Sequence, residues 1–174
     1  MSVAAISLAG VPVIRTERLV LRGFEARDLA AYVAYRTSPR NARPGGPMDA
    51  EEAAEKFAAM VGHWVAHGFG RHAICEAEDA PAIGHVGPSA HGAGDRPQMT
   101  WTLWSAEHEG RGYATEAARA VLDRPAPWSE LPAFIRPANA PSRRVAERLG
   151  GSLVEGAPPP WMPDGLTYRL PVAA

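Results

Sequence analysis

Apolar and polar residues alternate along Arg18-Leu19-Val20-Leu21-Arg22-Gly23-Phe24, the pattern of a half-buried strand. The period then changes. Leu29, Tyr32 and Val33 fall on one side of Glu25 to Arg36 and predict a short helix. Three prolines, two adjacent glycines and an asparagine between Thr37 and Pro47 predict a loop. Asp49 is placed to cap a second helix, with Glu52 three residues on able to reach back to it. Ala53, Phe57, Met60, Val61 and Trp64 give that helix an apolar face to about Ala66, and Gly68 and Gly70 end it.

His72 to Glu76 and Ala82 to Val86 predict short strands around a turn at Glu78 to Pro81, with a Gly-rich turn over Ser89 to Pro97. Gln98-Met99-Thr100-Trp101-Thr102-Leu103-Trp104 is the strongest strand signal in the chain, alternating, aromatic and β-branched. Ala114, Ala117, Ala118, Val121 and Leu122 predict a compact amphipathic helix, stopped early by Pro125 and Pro127. Ala133 to Ile135 predicts a strand. Pro141 to Leu149 predicts a helix, with proline at its start and Gly150-Gly151 at its end. Strands near Ser152 to Glu155 and Thr167 to Leu170 complete the order β-α-α-β-β-β-α-β-α-β-β, an α+β arrangement on a mixed sheet. In such a fold a ligand is expected at the strand–helix–strand–helix unit, Gln98 to Leu149.

Composition narrows the classes. A length of 174 residues fits one domain, taken as 15–171 behind a flexible arm, 1–14. A net charge of −1 lacks the field that nonspecific nucleic-acid binding needs. A single cysteine, Cys75, excludes an internal disulfide framework and fits a reducing, cytoplasmic setting. No apolar run approaches the ~18 residues of a membrane span. Seventeen glycines and seventeen prolines, without a repeat, imply many turns and short elements.

Chemistry concentrates where the strongest strand ends. Glu109-Gly110-Arg111-Gly112-Tyr113-Ala114-Thr115-Glu116-Ala117 is a two-glycine loop running into a helix. Free N–H groups and the positive end of the helix dipole make such a start an anion site. A plain tight turn is the competing reading. No Lys-Ser/Thr follows the glycines, so a Walker-type phosphate loop is excluded.

This segment resembles the acetyl-CoA pyrophosphate loop of the GNAT N-acetyltransferases, matched at Glu109, Gly112 and Ala114. Three further stretches match in order: Arg15 to Arg22, Ile83-Gly84-His85-Val86-Gly87, and Asn139 to Gly150. Together they are most similar to the RimJ/RimL-type branch, which acetylates ribosomal-protein N-termini. The resemblance implies a GNAT fold, mostly antiparallel, and acetyl transfer from acetyl-CoA to a primary amine, either a protein N-terminus or a small molecule. It implies no metal, and a monomer or homodimer. It further implies that the backbone at Leu103 and Trp104 pairs with the pantetheine arm. The amides of Gly110, Arg111, Gly112, Tyr113, Ala114 and Thr115 would hold the pyrophosphate. Asn139 would bond the pantetheine, and Ser142 would protonate the departing thiolate. Helix capping is the competing reading of Asn139 and Ser142.

Three departures bear on catalysis. Glu109 puts a carboxylate beside the expected pyrophosphate, repulsive unless it points away. Gln98 stands where the family often carries a glutamate base, and an amide takes up no proton in the working range. The helix after the loop is short. A protein that binds acyl-CoA without turnover is therefore the alternative. His85, Glu107 and His108 are candidate bases acting through a water. His63, His67 and His72 lack the further ligand that zinc requires, and Cys75 has no basic neighbour in sequence to activate it. Acceptor recognition is expected on Glu25 to Ala66 and on the Gly156 to Gly165 loop.

Overall fold

The computed structural model describes residues 10–41, 47–90, 96–155 and 158–173. Most of the N-terminal arm, the Gly45-Gly46 part of the first loop, the centre of the Ser89 to Pro97 turn and the start of the Gly156 to Gly165 loop lie outside them. Strands β1 (Ile14–Arg15), β2 (Val20–Arg22), β3 (His72–Cys75), β4 (Gly84–Ser89) and β5 (Gln98–Leu103) form one sheet in that order. Strands β6 (Glu130–Ile135), β7 (Ser152–Val154) and β8 (Leu166–Pro171) form a second, ordered β6-β8-β7. Every ladder is antiparallel. Helices α1 (Leu29–Arg36), α2 (Ala50–His67), α3 (Tyr113–Leu122) and α4 (Ala140–Arg148) flank them. Among the described residues no helix is long and apolar enough to cross a membrane.

The helices stand where the hydrophobic periods put them. Asp49 caps α2 by accepting from the Glu52 N–H at 2.8 Å, and Gly68 closes it at φ +71°. Strand boundaries differ from expectation most at three places. Ile14, assigned above to the arm, pairs with Leu21 and is buried. β4 runs on beyond Val86 through Pro88 to Ser89, the residue at which the turn is expected to begin. β6 begins at Glu130 and includes Pro132, which an edge strand admits.

The first sheet is buried on both faces. Along β3, Ile74 faces a core with Val86, Met99, Ala117, Ala118 and Leu122 under α3. Its neighbours Ala73 and Cys75 face Phe24, Tyr32, Phe57, Met60 and Trp104 under α1 and α2. Burial on both sides is why β3 reads as a continuous run with no alternation.

Two polar fastenings hold these layers. Arg22 makes a bidentate pair with Asp28, at 2.7 and 3.0 Å, with Asp28 fully buried. The same carboxylate accepts the Glu25 and Ala82 N–H groups, each at 2.9 Å, and so ties the start of α1 to the approach to β4. On the opposite face Glu116 of α3 accepts from the Thr16 hydroxyl at 2.6 Å, the Arg18 N–H at 3.0 Å and Arg18 Nε at 2.7 Å. Burial opposes ionisation of Glu116, but these bonds outweigh it and hold the carboxyl below its ordinary range.

Candidate active site

The site follows from what β5 lacks. It is laddered to β4 on one edge, while β6 comes alongside the other edge without ladder bonds. Trp104 donates its N–H to Ile83 O at 2.8 Å, in register with the β4–β5 ladder. Backbone groups alternate edge by edge in an antiparallel pair. Those of Leu103, Trp101 and Met99 therefore face the open edge. Of the two residues expected to offer backbone there, Leu103 does, whereas the Trp104 amide is already taken. A cleft of about 1070 Å³ runs along this edge, lined by Thr100, Trp101 and Thr102 of β5, Phe134 and Ile135 of β6, and Asn139 and Ser142 at the start of α4.

Past the C-terminal end of β5 the loop from Glu109 leads into α3. Gly110 and Gly112 have φ of +73° and +83°, a backbone that favours glycine. Gly112 is the N-cap of α3 and has no side chain to offer, so no side-chain cap takes up the N–H groups of the first turn. Arg111 lies over the Tyr113 ring at 5.1 Å, Arg18 lies 4.9 Å from the same ring, and the Tyr113 hydroxyl donates to Glu76 at 2.7 Å. Ala114 and Thr115 complete the first turn. Glu109 turns to Arg40, at 2.6 Å, so its charge is paired and directed away from the loop. An uncapped helix start with two left-handed glycines fits a pyrophosphate.

Asn139 and Ser142 line the cleft together. Asn139 Oδ1 accepts the Ser142 N–H at 3.1 Å, so Asn139 does cap α4. The cap engages only its oxygen, which leaves the amide nitrogen of Asn139 and the Ser142 hydroxyl for a ligand.

A family model described as an acetyltransferase (GNAT) domain matches residues 18–152. The chain belongs to the GNAT acetyltransferases. A relative in Bacillus subtilis, the uncharacterized N-acetyltransferase YnaD, is 27% identical over 143 residues, 79% of this chain and 81% of YnaD. The crystal structure of an acetyltransferase from Agrobacterium tumefaciens is 36% identical and superposes with a TM-score of 0.81, covering 91% of this chain and 94% of that one. RimJ of Mycobacterium smegmatis, solved with a CoA disulfide, shares the GNAT fold at 23% identity and a TM-score of 0.65, covering 92% of this chain and 86% of its own.

The three candidate bases of this GNAT domain fare differently. Glu107 and His108 line a separate cavity of about 390 Å³ beside Trp104 and Ser105. His85 lines the main cleft, one register position from Gly84 and opposite Thr102. Its Nδ1 accepts the Trp104 indole N–H at 3.0 Å. Indole only donates, so the neutral imidazole carries its proton on Nε2 and has no lone pair to spare. Burial, with Arg71 and Arg36 nearby, drives its pKa well below the ordinary histidine range. His85 is thus a hydrogen-bond donor to the cleft. Gln98 is buried at the far end, opposite Ser89.

His63 is held neutral as well. Its Nδ1 bonds Phe69 O at 2.8 Å and its Nε2 accepts the Ala90 N–H at 3.1 Å. No group of three metal-ligating side chains occurs among the described residues. Burial pushes the Cys75 thiol up to about 12, an inert core group.

Sequence reasoning missed Arg71 and Arg36. Arg71 donates from Nε to Thr100 Oγ1 at 2.9 Å and from an Nη to Ser89 Oγ at 2.8 Å. It reaches them across Gly87, which pairs with Thr100 and has φ +143°. A Cβ on Gly87 would lie 2.5 Å from Gly70 O and 3.0 Å from the Arg71 Cα, so only glycine admits the crossing. No local pattern announces this. Arg71 precedes a strand as many surface arginines do, and only the register brings it to β5.

Proposed function

We propose that residues 14–171 act as one domain that transfers an acetyl group from acetyl-CoA to a primary amine arriving in its neutral form. One observation carries the reading: the unladdered edge of β5 lines one cleft with the first turn of α4, at Asn139 and Ser142, and the strand runs on through Leu103 towards the uncapped start of α3. When bound, acetyl-CoA supplies the acetyl thioester. The amides of Gly110, Arg111, Gly112, Tyr113, Ala114 and Thr115 take the pyrophosphate. Leu103, with Trp101 in place of Trp104, offers backbone groups to the pantetheine arm, and Asn139 donates its side-chain amide to it. The Ser142 hydroxyl gives its proton to the departing sulfur and takes back the proton that the attacking nitrogen sheds as the amide forms. The likeness to M. smegmatis RimJ, solved with a CoA disulfide, supports both the cofactor and the RimJ/RimL-type branch. The lone buried thiol of Cys75 supports a reducing, cytoplasmic setting.

Gln98 cannot accept the amine proton, and the acceptor nitrogen of His85 is occupied by Trp104. The amine therefore loses its proton to solvent before it binds. A chain-terminal α-amine, with a pKa of about 8, is partly neutral at physiological pH, whereas a lysine side chain, at about 10.4, is almost wholly charged. This favours amines of lower pKa, on a protein N-terminus or a small molecule, over lysine side chains.

The experiment is thermal unfolding with acetyl-CoA, then CoA release across an amine panel. Acetyl-CoA raises Tm, since a ligand of the folded state stabilises it by RT ln(1 + [L]/Kd). With an accepted amine, kcat/KM rises with the acceptor's own pKa, and Gln98→Ala leaves that profile in place. A Tm shift with no CoA release from any amine would favour the acyl-CoA-binding alternative. A fixed inflection near pH 6–7, the same for acceptors of different pKa, would establish a dedicated base and defeat the neutral-amine reading.

A further inference from the structure

The charges lining the main cleft have one sign. Arg36, Arg40, Lys56, Arg71 and Arg136 border it, and no Asp or Glu does so among the described residues. Arg40 is neutralised by Glu109. Arg71 and Arg36 are not paired with a carboxylate among the described residues. The partners of Arg71 are the neutral hydroxyls of Thr100 and Ser89. Arg36 reaches Met48 Sδ and Asn41 Oδ1, each at 3.3 Å, and lies 5.5 Å from the Tyr32 ring centre.

Two guanidinium groups without counter-ions in one cleft repel each other, and they are near enough that Arg36 lowers the pKa of Arg71, adding to a larger effect of burial. Nothing in the fold requires this. The buried arginine on the other side of α1, Arg22, has a bidentate carboxylate. An arrangement of donors held in place but left without an anion suits an anion that comes and goes. Arg71 is well suited to that task. Two of its nitrogens are fixed on β5 and β4, and its remaining N–H groups are left for a ligand.

The cofactor's phosphates do not account for these groups. The uncapped start of α3 lies past Leu103, three residues along β5 from Thr100, or roughly 10 Å at strand rise. Arg71 also lies on the face covered by α1 and α2, away from the α3 face.

We propose that the acceptor is a small primary amine that carries its own oxyanion, a carboxylate or a phosphate, within a few bonds of the nitrogen, and that Arg71 and Arg36 bind that anion beside the centre of β5. This rests on the acetyltransferase reading above and specifies its substrate class. It favours a free amino acid or amino phosphate over a protein N-terminus, which presents a neutral peptide carbonyl at the same place. It also agrees with a site that has no base: a carboxylate lining the cleft would compete for the two arginines.

The test uses the full chain and matched amines: an α-amino acid against its carboxamide, and an amino alcohol against its phosphate monoester. Rates are compared at equal concentrations of neutral amine, and acetyl-CoA binding is measured separately by calorimetry. The anionic member of at least one pair is expected to exceed its neutral partner in kcat/KM by about 10- to 100-fold, mainly through KM, as for a lost charge-assisted hydrogen bond. Arg71→Met should bring that ratio towards one and leave the acetyl-CoA Kd within about threefold. The wild-type ratio does not depend on how well the variant folds. Neutral partners acetylated as well as the anionic ones would overturn the proposal and leave acetyl transfer standing. An Arg71→Met effect on acetyl-CoA as large as that on the acceptor would assign the arginine to the cofactor. Failure to bind acetyl-CoA at all would overturn both readings.

Discussion

The two ends of β5 are built from different materials. At the Leu103 end the chain presents backbone: two left-handed glycines, a helix start without a side-chain cap and an unladdered strand edge. At the Gln98 end it presents side chains drawn from three separate parts of the chain: Arg36, Arg71 and Thr100. Backbone suits a ligand whose shape does not vary, because amide positions are set by φ and ψ and substitution seldom moves them. Side chains suit a ligand that differs from one relative to the next, because each can be replaced without rebuilding the strand. On the proposed function, the Leu103 end is the cofactor half and the Gln98 end the acceptor half.

The largest expected effect strikes the frame of the acceptor half. Asp28→Ala leaves Arg22 buried and charged without its partner, and deprives the Glu25 and Ala82 N–H groups of an acceptor. A stability loss of about 3–5 kcal/mol is expected from denaturant unfolding. A loss under about 1 kcal/mol would mean that α1 is held by packing alone, as surface pairs contribute no more than that.

Gly112→Val tests the cofactor half. A β-branched residue at φ +83° is strained, and its Cβ would stand 3.4 Å from Arg18 Nη2. Acetyl-CoA affinity should fall about 100-fold with the far-ultraviolet circular dichroism unchanged. Unaltered affinity would remove the pyrophosphate from this loop.

The boundary between the halves is sharpened by Asn139→Ala and Ser142→Ala. Loss of one hydrogen bond to the pantetheine should weaken acetyl-CoA by about 1–2 kcal/mol in Asn139→Ala, part of it from the lost cap on α4. Ser142→Ala should keep acetyl-CoA affinity within about threefold and lower kcat about tenfold or more. Turnover of Ser142→Ala at the wild-type rate would reduce the serine to a helix residue.

The sequence alone determined the helices, the strongest strand, the two-glycine loop and the helix opened by Asn139. All of these are local. Periodicity, capping and left-handed glycines act over a few residues, so a reader of the chain meets them in order. Its errors at strand ends share that cause. Ile14, Pro88, Ser89 and Glu130 are strand residues because of partners elsewhere in the chain, and no short-range pattern marks them. Only the tertiary structure decided the side-chain chemistry along the cleft. The Trp104 indole fixes the His85 tautomer from nineteen residues away, and Arg71 reaches Thr100 across a separation of twenty-nine. Both depend on strand register, which specifies every cross-strand neighbour at once and is written in no single segment of the chain.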